Sequence, residues 1–122
     1  MKNVLIVDDQ ATIRQILSLI LRDDFCLSEA VDVSSALLQM QLLKPDAIVL
    51  DIMMPGIMNG YQLCEKIKQD PALADIYVLF LTARAQVTDQ EKGWAMGANA
   101  YFVKPFSPLE LSRHLTHALH LN

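Results

Sequence analysis

Short apolar runs alternate along this chain with segments in which apolar residues recur at helical spacing. The apolar runs predict strands at residues 3–7, 47–50, 77–81 and 100–103, and the shorter, more polar segment at residues 26–31 is predicted to be a fifth strand. Strands that alternate with helices imply a parallel sheet, because parallel neighbours need a long crossover between them. Those crossovers are expected to be right-handed. The alternation therefore predicts an α/β domain in which every strand is followed by a helix.

The segments between the strands carry the helical signal. In the first segment, the apolar residues that form one helical face are Ile13, Ile16, Leu17, Ile20 and Leu21. We predict three further helices at residues 34–43, 61–69 and 88–96. A last helix is predicted to start at Ser107, which is followed by Pro108 and, three residues after the cap, by Glu110. Gly97 is predicted to lie just past the fourth helix in a left-handed conformation.

Composition narrows the class of protein. The chain has 122 residues, of which 52% are hydrophobic and 20% charged, as expected for one soluble globular domain. No apolar run approaches the roughly 20 residues of a membrane span. The net charge is −4 and there is no basic stripe, which argues against direct binding of nucleic acid. Cys26 and Cys64 are expected to be reduced thiols in the core, and we predict a cytoplasmic protein without a signal peptide.

Polar residues follow four of the five predicted strands at the point where each strand ends. Asp8 and Asp9 follow the first strand, Asp51 the third, Thr82 the fourth and Lys104 the fifth. A single residue of this kind is usually a helix cap or a turn residue. Parallel strands, however, bring their carboxyl ends to one edge, where open α/β sheets bind ligands. Three carboxylates, a hydroxyl and an ammonium at one edge describe a site for a divalent cation and a phosphoryl group.

The residues around these positions resemble a known family. The segments Val7-Asp8-Asp9, Leu50-Asp51-Ile52-Met53-Met54-Pro55-Gly56, Leu81-Thr82-Ala83 and Val103-Lys104-Pro105-Phe106 look like the receiver domain of bacterial two-component response regulators. The likeness covers essentially all of residues 1–122, which we expect to form a single receiver domain. It implies a flavodoxin-like (βα)5 fold, a doubly wound parallel sheet of five strands in the order 2-1-3-4-5 with helices on both faces.

The resemblance also implies a metal site. Asp9 and Asp51 would contact Mg²⁺ directly, Asp8 would act mainly through water, and the main-chain carbonyl of Met53 would be a further ligand. Mg²⁺ prefers oxygen ligands and commonly combines a few carboxylates with water and phosphate oxygens. Mn²⁺ is expected to substitute for it. Without a cation, the three carboxylates would repel one another.

The same resemblance implies a signalling role for Asp51. Its carboxylate would accept a phosphoryl group from a sensor histidine kinase or a histidine phosphotransfer protein. Lys104, preceding a cis peptide bond to Pro105, would hold one phosphoryl oxygen, and Thr82 would donate a hydrogen bond to another. Tyr101 would turn inward as Thr82 moves. The fourth helix, fifth strand and fifth helix would then carry the change to a downstream protein or output domain that the sequence does not name.

The chain departs from the family pattern at two places. The loop from Asp51 to Gly60 is one residue longer than usual and has Asn59 where the family has Asp. We expect metal binding to survive this insertion, since Asp51 and Met53 precede it, and the start of the third helix to shift. Residues 97–101 lack the acidic residues by which one subset of the family dimerises. A weak homodimer is therefore the most that we expect.

Two other classes of function are alternatives to a switch controlled by phosphorylation of Asp51. A constitutive interaction domain would not need the full set of strand-end residues. A phosphohydrolase of the haloacid dehalogenase type would need an acid two residues after the nucleophile, where this chain has Met53. We therefore expect no enzyme beyond self-phosphorylation and slow self-dephosphorylation of Asp51. His114, His117 and His120 recur every third residue, but this spacing turns around the helix and does not favour a metal site.

Overall fold

The computed structural model describes residues 1–120 of the chain, with side chains up to Leu119. Five strands alternate with five helices, as predicted. In chain order the elements are β1 (Asn3–Val7), α1 (Ala11–Leu21), β2 (Cys26–Ala30), α2 (Val33–Leu42), β3 (Ala47–Leu50), α3 (Gly60–Gln69), β4 (Tyr77–Thr82), α4 (Val87–Ala95), β5 (Ala100–Val103) and α5 (Pro108–His120). The predicted boundaries differ from these by one residue at most. Gly97 has a φ of 98° just past α4, as predicted.

The five strands form one parallel sheet in the order β2-β1-β3-β4-β5, which confirms the predicted topology. All four residues of β3 are buried, as expected for a central strand that is covered on both faces. Residues of α2 and α3 pack on one face of the sheet, and residues of α1 and α5 pack on the other. The two layers therefore fix the sheet, and with it the edge where the strands end.

The register of the strands aligns their carboxyl ends. Val7 of β1 pairs with Leu50 of β3, and Thr82 of β4 pairs with Val103 of β5. Asp51 continues this alignment, since its backbone N–H donates to the carbonyl of Val7 at 3.0 Å. The residues that follow the strands therefore lie side by side along one edge.

Two expectations from the sequence were wrong in detail. Cys26 is exposed on β2, whereas Cys64 is buried, because β2 is an edge strand with only one paired neighbour. Thr82 is the last residue of β4 rather than the first residue after it, since pairing with Val103 extends the strand by one residue. Among the described residues, no helix is long and apolar enough to cross a membrane.

Candidate functional site at the carboxyl edge of the sheet

The ammonium of Lys104 links the strand-end carboxylates. Its Nζ lies 2.8 Å from Asp8 Oδ2 and 3.3 Å from Asp51 Oδ2. The lysine approaches from β5 across the edge of the sheet, where its backbone N–H donates to the carbonyl of Thr82 at 2.8 Å. The Lys104–Pro105 peptide bond is cis. Only 12% of the Lys104 side chain is exposed, so its positive charge is directed into the cleft rather than into solvent.

The three carboxylates lie together beside this ammonium. Asp8, Asp9 and Asp51 each offer one oxygen within 4.8 Å of the others; Asp8 and Asp51 are buried, and Asp9 is exposed. Burial raises the pKa of the Asp8 carboxyl above its usual range, while hydrogen bonds from Lys104 and the backbone of Gln10 oppose that rise. Two buried carboxylates that share one lysine leave a local excess of negative charge.

The donor set fits a hard divalent cation. Carboxylate oxygens at this spacing, open to solvent on the Asp9 side, are typical ligands for Mg²⁺ or Mn²⁺. Met53 lies at the same cleft with its side chain exposed, and its backbone N–H donates to Asp51 Oδ1 at 3.3 Å. Its thioether is a poor partner for such a cation, so only its main-chain carbonyl would suit the site.

Thr82 and Tyr101 are connected through one intervening residue. The Thr82 side chain is fully buried, and its Oγ1 accepts a hydrogen bond from the backbone N–H of Arg84 at 3.3 Å. The carbonyl of Arg84 in turn accepts one from the Tyr101 hydroxyl at 2.9 Å. A displacement of Thr82 would therefore reach Tyr101 through the backbone of Arg84.

The Tyr101 ring lies between the sheet and α4. Its centroid is 5.9 Å from that of Phe80 on β4 and 6.4 Å from that of Trp94 on α4. Gly93 makes room for the ring, because a Cβ atom at that position would lie 3.0 Å from two Tyr101 ring carbons. Tyr101 is half-buried, and its position is tied to the position of α4.

The loop after Asp51 extends into solvent around Gly56 and Ile57. Gly56 has a φ of 108°, and the Ile57 side chain is fully exposed. The helix start remains well formed: Asn59 caps α3 by accepting from Gln62 N at 3.1 Å, while the Gln62 side chain accepts from Asn59 N at 2.8 Å. Asn59, the residue for which the resemblance led us to expect aspartate, is therefore the N-cap of α3.

The described histidines of α5 lie away from the cleft. His114 Nε2 lies 2.6 Å from the Tyr77 hydroxyl, and its ring packs edge-on against Phe102. Burial lowers the pKa of His114, and the neighbouring His117 adds to that effect. His117 is exposed, and the His120 side chain lies outside the described residues. The contacts of His114 explain its placement without a metal ion.

Two residues at the cleft were missed by the sequence analysis. Gln10 accepts a hydrogen bond from Lys104, and the Arg84 guanidinium contacts the Met53 sulfur at 3.0 Å. Gln10 directly follows Asp9, so its place in the sequence was a usable signal for proximity. No local pattern around Arg84 indicates that its backbone connects Thr82 with Tyr101.

Comparison with family models and with known sequences identifies one family of similar proteins. Residues 4–116 match the family model of the response regulator receiver domain. The "Probable transcriptional regulator ycf27" of Guillardia theta is 41% identical over 115 residues, which is 93% of this chain and 44% of that protein. The "Phosphate regulon transcriptional regulatory protein PhoB" of Escherichia coli K12 is 40% identical over 111 residues, or 90% and 48% of the two chains. The chain thus spans about half the length of these relatives.

Solved structures show the same fold. A response regulator from Chloroflexus aurantiacus aligns with a TM-score of 0.90 and 35% identity, covering 98% of both chains. The chemotaxis protein CheY4 of Vibrio cholerae aligns with a TM-score of 0.88 and 32% identity, covering 98% of this chain and 99% of that one. The BeF3-activated receiver domain of DrrB aligns with a TM-score of 0.90 at 27% identity, again covering 98% of both chains.

Proposed function

Because the chain belongs to the response regulator receiver domains, we propose that it is a switch controlled by phosphorylation of Asp51. The observation that carries this proposal is the shared ammonium, since Lys104 contacts both Asp8 and Asp51 at the carboxyl edge of the sheet. A buried carboxylate beside a lysine and two further carboxylates has the groups that phosphoryl transfer needs within one cleft.

Phosphoryl transfer would use one carboxylate oxygen of Asp51 as the nucleophile. A new oxygen–phosphorus bond forms while the bond between phosphorus and the donor's histidine nitrogen breaks, and that nitrogen keeps the electron pair. The Lys104 ammonium stabilises a phosphoryl oxygen as a mobile point charge. Thr82 donates its hydroxyl to another oxygen. Ala83 adds only a methyl group at the mouth of the cleft, so the donor's approach is open.

We assign the cation site to Asp8, Asp9 and Asp51, together with the main-chain carbonyl of Met53. A bound Mg²⁺ or Mn²⁺ would neutralise the carboxylates and the charge of the incoming phosphoryl group. Lys104 has a separate role, because its ammonium donates hydrogen bonds to Asp8 and Asp51 and can donate one to a phosphoryl oxygen instead.

The signal would pass from Thr82 to Tyr101 and α4. To donate to a phosphoryl oxygen, the Thr82 hydroxyl would have to turn towards Asp51, and this movement would displace the acceptor of the Arg84 N–H. The change would alter the Arg84 carbonyl that holds Tyr101, and so favour another position of α4. The face formed by α4, β5 and α5 is therefore the proposed output surface.

The proposed phosphoryl donor is a sensor histidine kinase or a histidine phosphotransfer protein, and the proposed location is the cytoplasm. The receiver would act on a downstream protein or on an output domain, as the names of the regulatory relatives suggest for those proteins. Residues 1–122 would form one receiver domain, and any self-association would be weak.

Intact-mass spectrometry with acetyl phosphate and Mg²⁺ tests the nucleophile. The wild-type chain should gain one phosphoryl group, with acetate as the leaving group, and Asp51→Ala should gain none. Asp46→Ala is a matched control, since Asp46 lies at the opposite end of β3 and bonds the backbone of Asn3. A phosphoryl group that is retained in Asp51→Ala, or that maps to a histidine, would refute the proposal.

A further inference from the structure

The ammonium of Lys104 has a third hydrogen-bond acceptor that neither the family motif nor the charges account for. Gln10 Oε1 lies 2.8 Å from Lys104 Nζ, as close as Asp8 Oδ2 and closer than Asp51 Oδ2 at 3.3 Å. These three contacts match the three donors of an ammonium group. Gln10 is the neutral member of the set, so it orients the lysine without cancelling its charge.

The start of α1 shows that the Gln10 side chain is committed to this contact. Gln10 is the N-cap residue of α1, yet its side chain makes no hydrogen bond to the helix. The corresponding residues of α2 and α3, Asp32 and Asn59, both accept from a backbone N–H of their own helix. Asparagine, aspartate and serine are favoured at this position because they cap well. The glutamine of α1 instead reaches the ammonium across the cleft.

The backbone of the same residue holds the second partner of the lysine. Gln10 N donates to Asp8 Oδ1 at 2.9 Å, while Asp8 Oδ2 accepts from Lys104. Gln10, Asp8 and Lys104 thus form a closed ring of three hydrogen bonds. Such a ring fixes the position of the ammonium beside Asp51 before any ligand arrives.

We propose that Gln10 is a positioning residue, which holds the Lys104 ammonium at the acceptor carboxylate through a neutral hydrogen bond. The inference rests on the proposed phosphorylation of Asp51 for its consequence, though not for the contact itself. A cation bound by the carboxylates would compete with Lys104 for Asp8, and the glutamine would then be the remaining anchor. Being uncharged, Gln10 would also release the ammonium readily to a phosphoryl oxygen.

Four variants separate positioning from structural support. Gln10→Ala removes the acceptor. Gln10→Asn is too short to reach the lysine but suits the N-cap, so it should raise the thermal midpoint of unfolding while weakening the positioning. Gln10→Glu keeps an acceptor at the same length. Gln15→Ala is the control, since Gln15 is an exposed glutamine on the next turn of α1.

Two measurements report on these variants. NMR of the Lys104 side chain, recorded without metal, should show lost order in Gln10→Ala and Gln10→Asn, and retained order in Gln10→Glu and the control. The rate of phosphorylation by acetyl phosphate with Mg²⁺ should fall roughly 3- to 10-fold in Gln10→Ala and Gln10→Asn, as for loss of one hydrogen bond of ordinary net strength. Opposite changes in midpoint and rate for Gln10→Asn would exclude a merely structural role.

The Lys104→Met background tests whether Gln10→Ala lowers the phosphorylation rate through the lysine. In Lys104→Met, the further change Gln10→Ala should leave the residual phosphorylation rate unchanged. An equal fall in both backgrounds, or wild-type rates and lysine order in Gln10→Ala, would overturn the inference. If the wild-type chain took up no phosphoryl group, the proposed function would fail, and the metal-free NMR result would still decide the contact between Gln10 and Lys104.

Discussion

Helices α3 and α4 both follow strands that end at the cleft, but they are fixed to the fold very differently. In α3 the side chains of Leu63, Cys64 and Ile67 are fully buried. In α4 the one buried residue is Gly93, which has no side chain, and 49% of Trp94 is exposed. Because buried apolar area holds a helix in place, α3 is a fixed support for the loop after Asp51 and α4 is the element that is freer to move.

The direct links between these helices involve few atoms. The Tyr61 hydroxyl of α3 donates to the carbonyl of Asp89 in α4 at 2.9 Å, and the Lys92 ammonium lies 4.7 Å from the centre of the Tyr61 ring. The Cys64 thiol donates to the Met96 carbonyl just past α4. These polar contacts can re-form after a small displacement, whereas a packed core cannot adjust so easily. The contrast supports the proposal that α4 is part of the output surface.

The largest expected effect comes from adding one methyl group to a glycine of each helix. In Gly60→Ala, the new Cβ would overlap the Asp51 carbonyl oxygen and approach Ile52 Cα to 2.8 Å, so the backbone of these two residues would have to move. We expect a loss of about 3 kcal/mol or more in the free energy of unfolding. In Gly93→Ala, the Tyr101 ring can shift, and a better helix propensity offsets the contact. Its change should stay within about 1 kcal/mol, and urea denaturation of both variants would measure the difference.

Equal effects of the two glycine substitutions would contradict the contrast between the helices. The Gly93→Ala variant carries a second readout, because its methyl group would press on Tyr101. Fluorescence of Trp94, which packs beside Tyr101, should change in Gly93→Ala.

Truncation of one large side chain in each helix should give the next largest effect. Leu63→Ala leaves a cavity in the core, and we expect it to lower the free energy of unfolding by about 3 kcal/mol. Trp94→Ala removes a half-exposed ring and should cost about 1 kcal/mol, although the ring is much larger than a leucine side chain. Chemical denaturation with unchanged m-values would provide both numbers. A greater loss in Trp94→Ala would show that α4 is packed more firmly than its burial indicates.

A phosphoryl mimic should sharpen the contrast further. We expect beryllofluoride with Mg²⁺ to change the amide chemical shifts of α4, β5 and α5 more than those of α2 and α3. Thr82→Ala should still accept phosphate on Asp51 but lose much of the remote change, since the link through Arg84 to Tyr101 is cut. Such couplings are typically about 1–3 kcal/mol. Thr88→Ala, an exposed threonine of α4, is the control, and equal remote shifts in wild type and Thr82→Ala would refute the coupling.

The smallest perturbation is a chemical label. Burial raises the pKa of the Cys64 thiol to about 11, so the reactive thiolate is scarce near neutral pH. In a Cys26→Ser background, iodoacetamide should modify Cys64 slowly at pH 8, and the rate should rise about tenfold per pH unit towards pH 11. A thiol introduced by Ala95→Cys, at an exposed position of α4, should react much faster. Similar rates for both thiols, measured by mass spectrometry, would show that Cys64 is as accessible as an exposed thiol and that α3 is not a fixed support.

The local pattern of the sequence was enough to predict the elements and the edge. Apolar runs marked four of the five strands, because a buried strand needs apolar residues on both faces, as in β3, whereas β2 was predicted from a more polar segment. The positions of Asp8, Asp51 and Lys104 after their strands then predicted a shared edge, which the register confirms. The periodicity of apolar residues indicates which side of an element is buried, and it can be read from that segment of the sequence alone.

Only the tertiary structure decided which atoms meet. The hydrogen bond from Lys104 to Gln10 joins residues 94 positions apart, and its formation depends on strand order and side-chain conformation. The exposure of Cys26 depends on β2 being an edge strand. The sequence by itself determined the elements and the types of chemical group at the cleft. The partner of each group was set by packing between distant segments, for which a local pattern carries no signal.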